Sequence, residues 1–330
     1  MNVGDQTTLT RQDQAPTGIS PLPRIGMLDS LRGFALVAMA SYHFTWDLEF
    51  FGYIEPGTAE TGPWRLYARC IASTFLFLVG FSLVLAHGRG IRWQAFVKRF
   101  AQIAVAAALI SGVTYFVMGN GWIFFGILHG IALMSLLALA FLRLPVIITA
   151  LAALASLALP FYAQSPLFDH PMLWWVGLSE TIPRSNDYVP LFPWFAAVLF
   201  GIVAARLSIR FGLHEKLAAM PQGPRLLALG GRHSMAFYLI HQPVLISLVY
   251  LASLIAPPPP PDRALEYGRS CQQSCEAGGS EAGFCTRFCG CTLDKLQTGN
   301  LLQPLQSGAI IATQDERVLK LARECTIASQ

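Results

Sequence analysis

The sequence predicts an all-α fold, a polytopic transmembrane bundle of about seven spans followed by a small disulfide-rich helical tail. Three observations predict it. Apolar runs of about 20 residues recur, the length a helix needs to cross a hydrocarbon core of about 30 Å. Charged residues make up 13% of the chain and mean hydropathy is +0.49, where soluble domains carry about a quarter charged residues. Six of the seven cysteines fall in a polar segment beyond a five-proline run at 257–261. The net charge of +4 does not point to nucleic acid, because the basic residues sit in short links between apolar runs, where they set topology.

In chain order, residues 1–26 read as a polar tail punctuated by Pro21 and Pro23. It lacks the basic and short apolar regions of a cleaved leader, so the first apolar run is expected to stay as an anchor. Spans are expected at 27–51, 66–86, 96–118, 122–141, 145–163, 191–207 and 234–255, with a surface helix within 208–231. Arg89, Arg92, Lys98 and Arg99 follow the second span, Arg143 the fourth, and Arg206, Arg210, Lys216, Arg225 and Arg232 the sixth. Basic links stay cytoplasmic. The N-terminus is then inside, and seven spans carry the tail outside. The prolines of 257–261 are expected to form a stiff spacer between a membrane domain, 27–256, and the tail, 257–330.

The first span carries Asp29, Arg32, His43 and Asp47. Ionisable groups inside a span face partners or a polar cavity. Eleven residues at about 100° each return His43 to the face of Arg32, and Asp47 lies one turn further on. His43 can exchange a proton near neutral pH or carry an acyl group. Asp47 is placed to fix its tautomer, and Trp46 and Trp64 to cap the site. The alternative is that His43 and Asp47 only tie helices together by hydrogen bonds. Arg32 with Arg89, Arg92, Lys98 and Arg99 can hold a polyanion; the alternative is an Asp29–Arg32 pair and a link that merely sets topology. His129 and His241 are also intramembrane, and packed, hydrogen-bonded histidines are the simpler reading of each. Pro243 is expected to kink the last span beside His241. No metal-ligand cluster and no phosphate-binding glycine loop stand out.

In the tail, Cys271 and Cys275 are four residues apart, as are Cys285 and Cys289, with Gly278, Gly279 and Ser280 between the pairs. Residues four apart share a helix face. An antiparallel hairpin would join Cys271 to Cys289 and Cys275 to Cys285, leaving Cys291 for Cys325. The arrangement resembles twin-CX3C helical hairpins. An outside location favours disulfides; a metal site is the alternative. Cys70, in the second span, reads as a buried apolar side chain.

The stretch LDSLRGFALVAMASYHFTWDLEFF resembles the opening of bacterial proteins related to the heparan-α-glucosaminide N-acetyltransferase catalytic domain. FLFLVGFSLVLA, FFGILHGIALMSLLAL, LFPWFAAVLFGI and GRHSMAFYLIHQPV follow in that group's order, so the resemblance covers about residues 24–255. The opening is also similar to the acyltransferase-3 class, in which Arg-Gly is followed ten residues later by a histidine, here Gly33 to His43. The resemblance implies a multi-pass enzyme of the bacterial inner membrane. It would transfer an acetyl group from cytoplasmic acetyl-CoA to a sugar amine or hydroxyl of a glycan or glycolipid outside. Arg32 would lie on the donor side and His43 at the transfer point. Lysosomal members place the catalytic histidine in the loop after the first span. Residues 52–65 hold no histidine, so heparan chemistry does not carry over. A transporter or an envelope scaffold is the alternative function. Acceptor identity and oligomeric state stay open.

Overall fold

The computed structural model describes residues 25–260 and 262–330, the side chain of Asn120 excepted. The expected N-terminal tail therefore lies outside the described residues up to position 24, as does Pro261 of the proline run. The fold is all-α. Among the described residues the one β-type pairing is an isolated bridge between Phe125 and Tyr188. The chain divides after Ala252 into two compact units.

The first unit holds α1 (Gly26–Phe50), α2 (Gly62–His87), α3 (Trp93–Met118), α4 (Ile127–Phe141), α5 (Val146–Tyr162), α6 (Leu191–Arg210), α7 (Leu213–Ala219), α8 (Arg225–Arg232) and most of α9 (Ser234–Ile255). Four of these, α2, α3, α6 and α9, are long and apolar enough to cross a membrane. Seven spans were expected; length and composition support four. α4 and α5 are apolar but have 15 and 17 residues, roughly 22 and 25 Å of helix. α1 has the length, 25 residues, and its ionisable groups keep its hydropathy low. The fourth helix starts at Ile127, not at 122. A 3₁₀ turn at Gly119–Gly121 precedes a non-helical stretch, and the first α4 amide, Ile127 N–H, donates to the Asp187 carboxylate at 2.8 Å. That cap comes from 60 residues away, beyond the reach of a local pattern. The expected surface helix of 208–231 is two short helices, broken where Pro221 and Pro224 remove backbone donors. Cys70 is exposed, not buried; on an apolar helix an outward side chain meets lipid, which suits a thiol equally well.

Glycines set the two closest helix crossings, as is usual where helices associate in lipid. A Cβ on Gly80 would stand 1.9 Å from the Val198 carbonyl oxygen, and one on Gly201 2.1 Å from that of Phe77, so α2 and α6 touch backbone to backbone. α1 meets α8 in the same way. A Cβ on Gly33 would stand 1.9 Å from the Leu227 oxygen, and one on Gly231 1.8 Å from the Asp29 oxygen. Leu76, Met134, Val198, Leu199 and Ile202 fill the space around the α2–α6 contact with no exposure to solvent. α9 makes few close backbone approaches to its neighbours. Long side chains span the gap instead, and the site described below occupies it.

The second unit contains α10 (Arg263–Ala277), α11 (Ala282–Thr298), α12 (Leu302–Gln306) and α13 (Glu316–Ser329). Gly279, at φ 86°, turns the chain between α10 and α11, a conformation that favours glycine. The hairpin brings Cys271 to Cys289 and Cys275 to Cys285, and Cys291 joins Cys325 on α13. The first two are the pairings that the helix spacing expects, and the third joins the two cysteines left over. The apolar core is small, with Leu296, Leu301, Leu302, Val318 and Leu321 at its centre, so covalent ties carry much of the stability. Asp315 caps α13 by accepting the Arg317 amide at 2.9 Å. The Arg317 guanidinium also hydrogen-bonds it and pulls its carboxyl down to about 2.

Three outcomes are expected. Non-reducing peptide mapping should recover the three bridges and leave Cys70 free. Replacing Cys291 and Cys325 together by serine should cost the tail about 3–4 kcal/mol, from the entropy of opening a 34-residue loop; free thiols in the wild-type tail would contradict the fold. In the membrane unit, Gly231→Ala should lower the melting temperature in detergent. Gly230→Ala, which meets nothing within 4 Å, should not.

Candidate functional site

Asp47 is fully buried one turn beyond His43 on α1. Its Oδ1 accepts a hydrogen bond of 2.6 Å from Gln242 Nε2 of α9. The carboxylate thus turns to Gln242, and His43 has the rings of Tyr42 and His241 as its aromatic neighbours. The His43 and His241 rings stand 5.0 Å apart, centre to centre. His241 is 8% exposed, and its Nδ1 lies 2.7 Å from the Tyr238 carbonyl oxygen. A carbonyl only accepts, so Nδ1 carries a hydrogen and the neutral ring keeps its lone pair on Nε2. That Nε2, Asp47 Oδ2 and Gln242 Oε1 are buried and have no hydrogen-bond partner among the described residues. All three are acceptors. Buried polar atoms are as a rule satisfied, and this group asks for a donor-rich partner.

Toward the N-terminal end of α1, a cavity of about 540 Å³ opens between α1, α2, α3, α4 and the α8–α9 junction. Asp29 and Arg32 of α1, Arg99 and Gln102 of α3, Arg232 of α8 and Tyr238 of α9 contribute its polar lining. Arg32 donates to Asp29 at 3.0 Å and to the Ser82 hydroxyl. Arg232 stands 3.7 Å from the other Asp29 oxygen and donates to Gln222 at 3.1 Å. Among the described residues, three guanidiniums against one carboxylate give this lining a net positive charge. Of the basic link after α2, Arg99 alone reaches it. Arg89 and Lys98 are exposed elsewhere, and Arg92 folds back to donate to the Ala86 carbonyl at 3.2 Å.

Tyr238 stands between the two regions. It lines the cavity, its carbonyl holds His241, and it packs into the apolar clusters on both sides. Its hydroxyl faces Asp187, a residue of the link between α5 and α6. Burial pushes the Asp187 carboxyl up to about 6, against hydrogen bonds from Ile127 N–H and Tyr238 that favour the charged form. Around it the links before α4 and α6 pair: Val189 N–H donates to Phe125 O at 3.1 Å, and Asn186 N–H to Gly121 O at 3.0 Å.

His129 is engaged elsewhere. Gly126 N–H donates to its Nδ1 at 3.3 Å, so Nε2 holds the hydrogen and donates to Ser111 Oγ at 3.1 Å. Ser111 in turn donates to the Ile123 carbonyl at 2.6 Å. This chain fastens the α3–α4 connection. Trp46 stacks on Phe50, 5.4 Å between ring centres, and Trp64 meets Tyr67 edge-on at 5.9 Å. The structure therefore brings His43, Asp47 and His241 together, and separately Asp29, Arg32 and Arg99. Gln242, Gln102, Tyr238 and Asp187 escape the sequence reading, and Arg232 enters it only as a topology-setting cation. Gln242 leaves a trace there, as a second polar residue beside His241 in an apolar span.

A family model described as heparan-alpha-glucosaminide N-acetyltransferase, catalytic, matches residues 24–243. The chain belongs to this family. It is an acetyltransferase with membrane helices, and the matched segment runs from the start of α1 through His241 and Gln242. The tail lies beyond the match. Neither a curated protein nor a solved structure matches the chain.

The raised Asp187 carboxyl gives this acetyltransferase a predictable pH response. The folded state holds the Asp187 proton more tightly than the unfolded chain, whose carboxyl titrates near 3.8. Charging it therefore costs stability as pH rises from about 4 to about 6. Asp187→Asn keeps an acceptor for Ile127 N–H without the charge. Its stability relative to wild type should increase over that range and level off above it. Melting curves in detergent that stay parallel from pH 4 to 7 would contradict the assignment.

Proposed function

We propose that this acetyltransferase moves an acetyl group from cytoplasmic acetyl-CoA to a sugar amine presented on the outer side of a bacterial inner membrane. The observation that carries the reading is the division of polar groups along α1. Arg32 sits in a cationic cavity near one end, and His43 sits beside His241 about 16 Å further along the helix, at 1.5 Å for each of eleven residues. A phosphate-rich donor fits the first region. Arg32, Arg99 and Arg232 would hold its phosphates, and Gln102 adds an amide. The thioester arm would then extend past Tyr238 toward the histidines. Basic links on one side of the apolar runs support the orientation, and so does a tail closed by disulfides.

The second region suits the acceptor. Three buried acceptor atoms, on Asp47, His241 and Gln242, match an amine, which brings several N–H donors, better than a hydroxyl, which brings one. His43 takes the role of acyl carrier. Its ring attacks the thioester carbonyl, the C–S bond breaks, and the thiolate leaves with the electron pair and takes a proton from solvent. Asp47, held by Gln242, stabilises the positive charge of the acetylimidazolium that results.

The test is transfer of labelled acetyl from acetyl-CoA by the purified full chain in liposomes. An amino sugar should accept the label, and the same sugar with its amine already acetylated should not. His43→Ala should abolish transfer without lowering the melting temperature by more than a few degrees. Arg99→Ala should raise KM for the donor about 10- to 100-fold with kcat little changed, the loss expected for one charged hydrogen bond to a phosphate. Undiminished transfer by His43→Ala would overturn the proposal, and label entering only hydroxyls would overturn the amine assignment.

A further inference from the structure

The geometry points to His241 as the base that deprotonates the acceptor during the second half of the reaction. The inference rests on the acetyl transfer proposed above and goes beyond it by assigning a catalytic atom on a second helix.

Four features of the site converge on His241 Nε2. The ring is 8% exposed, so bulk water does not compete for its lone pair. Nδ1 is committed to the Tyr238 carbonyl at 2.7 Å. A backbone carbonyl cannot rotate away or donate, so the tautomer with a free Nε2 is fixed by the main chain of the same helix. This backbone oxygen does for His241 what the carboxylate does in a triad. Nε2 has no hydrogen-bond partner among the described residues. Finally, the His43 ring lies 5.0 Å away, so a substrate amine attacking an acetyl group on His43 arrives beside His241. Stacking of Phe237 on the His241 ring, 6.0 Å between centres and 6° from parallel, holds the ring plane.

The chemistry balances without a further reactant. In the first half, His43 displaces the coenzyme thiolate and becomes acetylated. In the second, the acceptor nitrogen attacks the acetyl carbon, forming the C–N bond of the amide. His241 Nε2 takes the proton released from that nitrogen. The bond from acetyl carbon to His43 then breaks, and its electron pair returns to the His43 ring. The proton on His241 passes to the solvent side as product leaves, which restores the starting state. Two histidines are needed because the ring that carries the acetyl group cannot also accept the proton.

The experiment uses the full chain and the variants His241→Asn and His241→Ala. Asparagine places an N–H near the position of Nδ1, so it keeps the tie to Tyr238 and removes the base; alanine leaves space for a free imidazole. With labelled acetyl-CoA, His241→Asn should still release about one equivalent of coenzyme A per folded chain and retain label on His43, while steady-state transfer to an amino sugar falls at least 100-fold. Added imidazole should restore part of the turnover of His241→Ala and none of that of His43→Ala. A merely structural role would not respond to imidazole. Turnover of folded His241→Asn within about threefold of wild type would overturn the assignment, as would equal loss of the coenzyme burst and of transfer without imidazole rescue. Inactive wild-type protein would instead overturn acetyl transfer itself, so the two failures are distinct.

Discussion

The hydrogen bond from Gln242 to Asp47 is the interaction on which the membrane unit's polar architecture depends. A carboxylate buried in an apolar bundle is costly unless partnered, and Gln242 at 2.6 Å supplies the partner for one of its oxygens. The bond draws α9 to α1 at a point where the two helices make little backbone contact. It thereby sets His43 and His241 at 5.0 Å. Because α9 is held by side chains and not by close packing, space remains between it and α3 and α4. The cationic cavity occupies that space. Loose packing and the cavity are thus two consequences of one arrangement.

The opposite end of α1 is built on the contrary principle. Gly33 and Gly231 bring α1 and α8 into backbone contact, and Asp29 lies where both Arg32 and Arg232 can reach it. A carboxylate shared by two guanidiniums fixes both cations without neutralising them. Arg32, tied also to the Ser82 hydroxyl, is the more firmly held of the two, while Arg232 stands 3.7 Å from Asp29 and is nearly half exposed. One helix therefore has a rigid, glycine-packed end suited to gripping charge and a side-chain-spaced end suited to admitting a substrate.

Much of the framework is legible in the sequence because it is local. The last apolar run and α9 share both ends, and α1 is displaced from its expected bounds by one residue at each end. Cysteines four apart on two short helices state their own pairing. What the sequence hides is long-range. Asp47 looks as though it serves His43, its neighbour one turn away, yet its partner is 195 residues distant. Arg232 reads as one more topology-setting cation until α8 folds against α1. Asp187 lies in a polar link with nothing to mark it, and becomes significant only because it caps α4 and faces Tyr238. Cys70 shows a different blindness: apolar periodicity marks a helix as membrane-embedded without saying which face meets lipid and which meets protein.

The loop after α1 bears on where chemistry can reside. Residues 52–65 hold no histidine. The structure ties this loop down by other means. Glu49 accepts the Gly57 and Ala59 amides at 2.6 and 2.8 Å, and the Tyr42 hydroxyl donates to the Ala59 carbonyl at 3.3 Å. The loop is thus fastened through its backbone by side chains of α1. Of the five remaining histidines, His87 accepts the Arg92 amide, His129 bridges Gly126 and Ser111, His170 accepts the Met172 amide, and His233 Nδ1 lies 3.1 Å from the Leu229 carbonyl oxygen. Each of these four has a ring nitrogen occupied in holding a turn or a connection, and His214 stands apart on the short helix α7. His43 and His241 alone form a histidine–histidine ring contact among the described residues. They do so one helical turn or less from a buried carboxylate and its amide partner. If acetyl transfer in this chain needs imidazole, the ring pair that could supply it lies between two facing helices, and an acceptor reaches it only by entering the bundle.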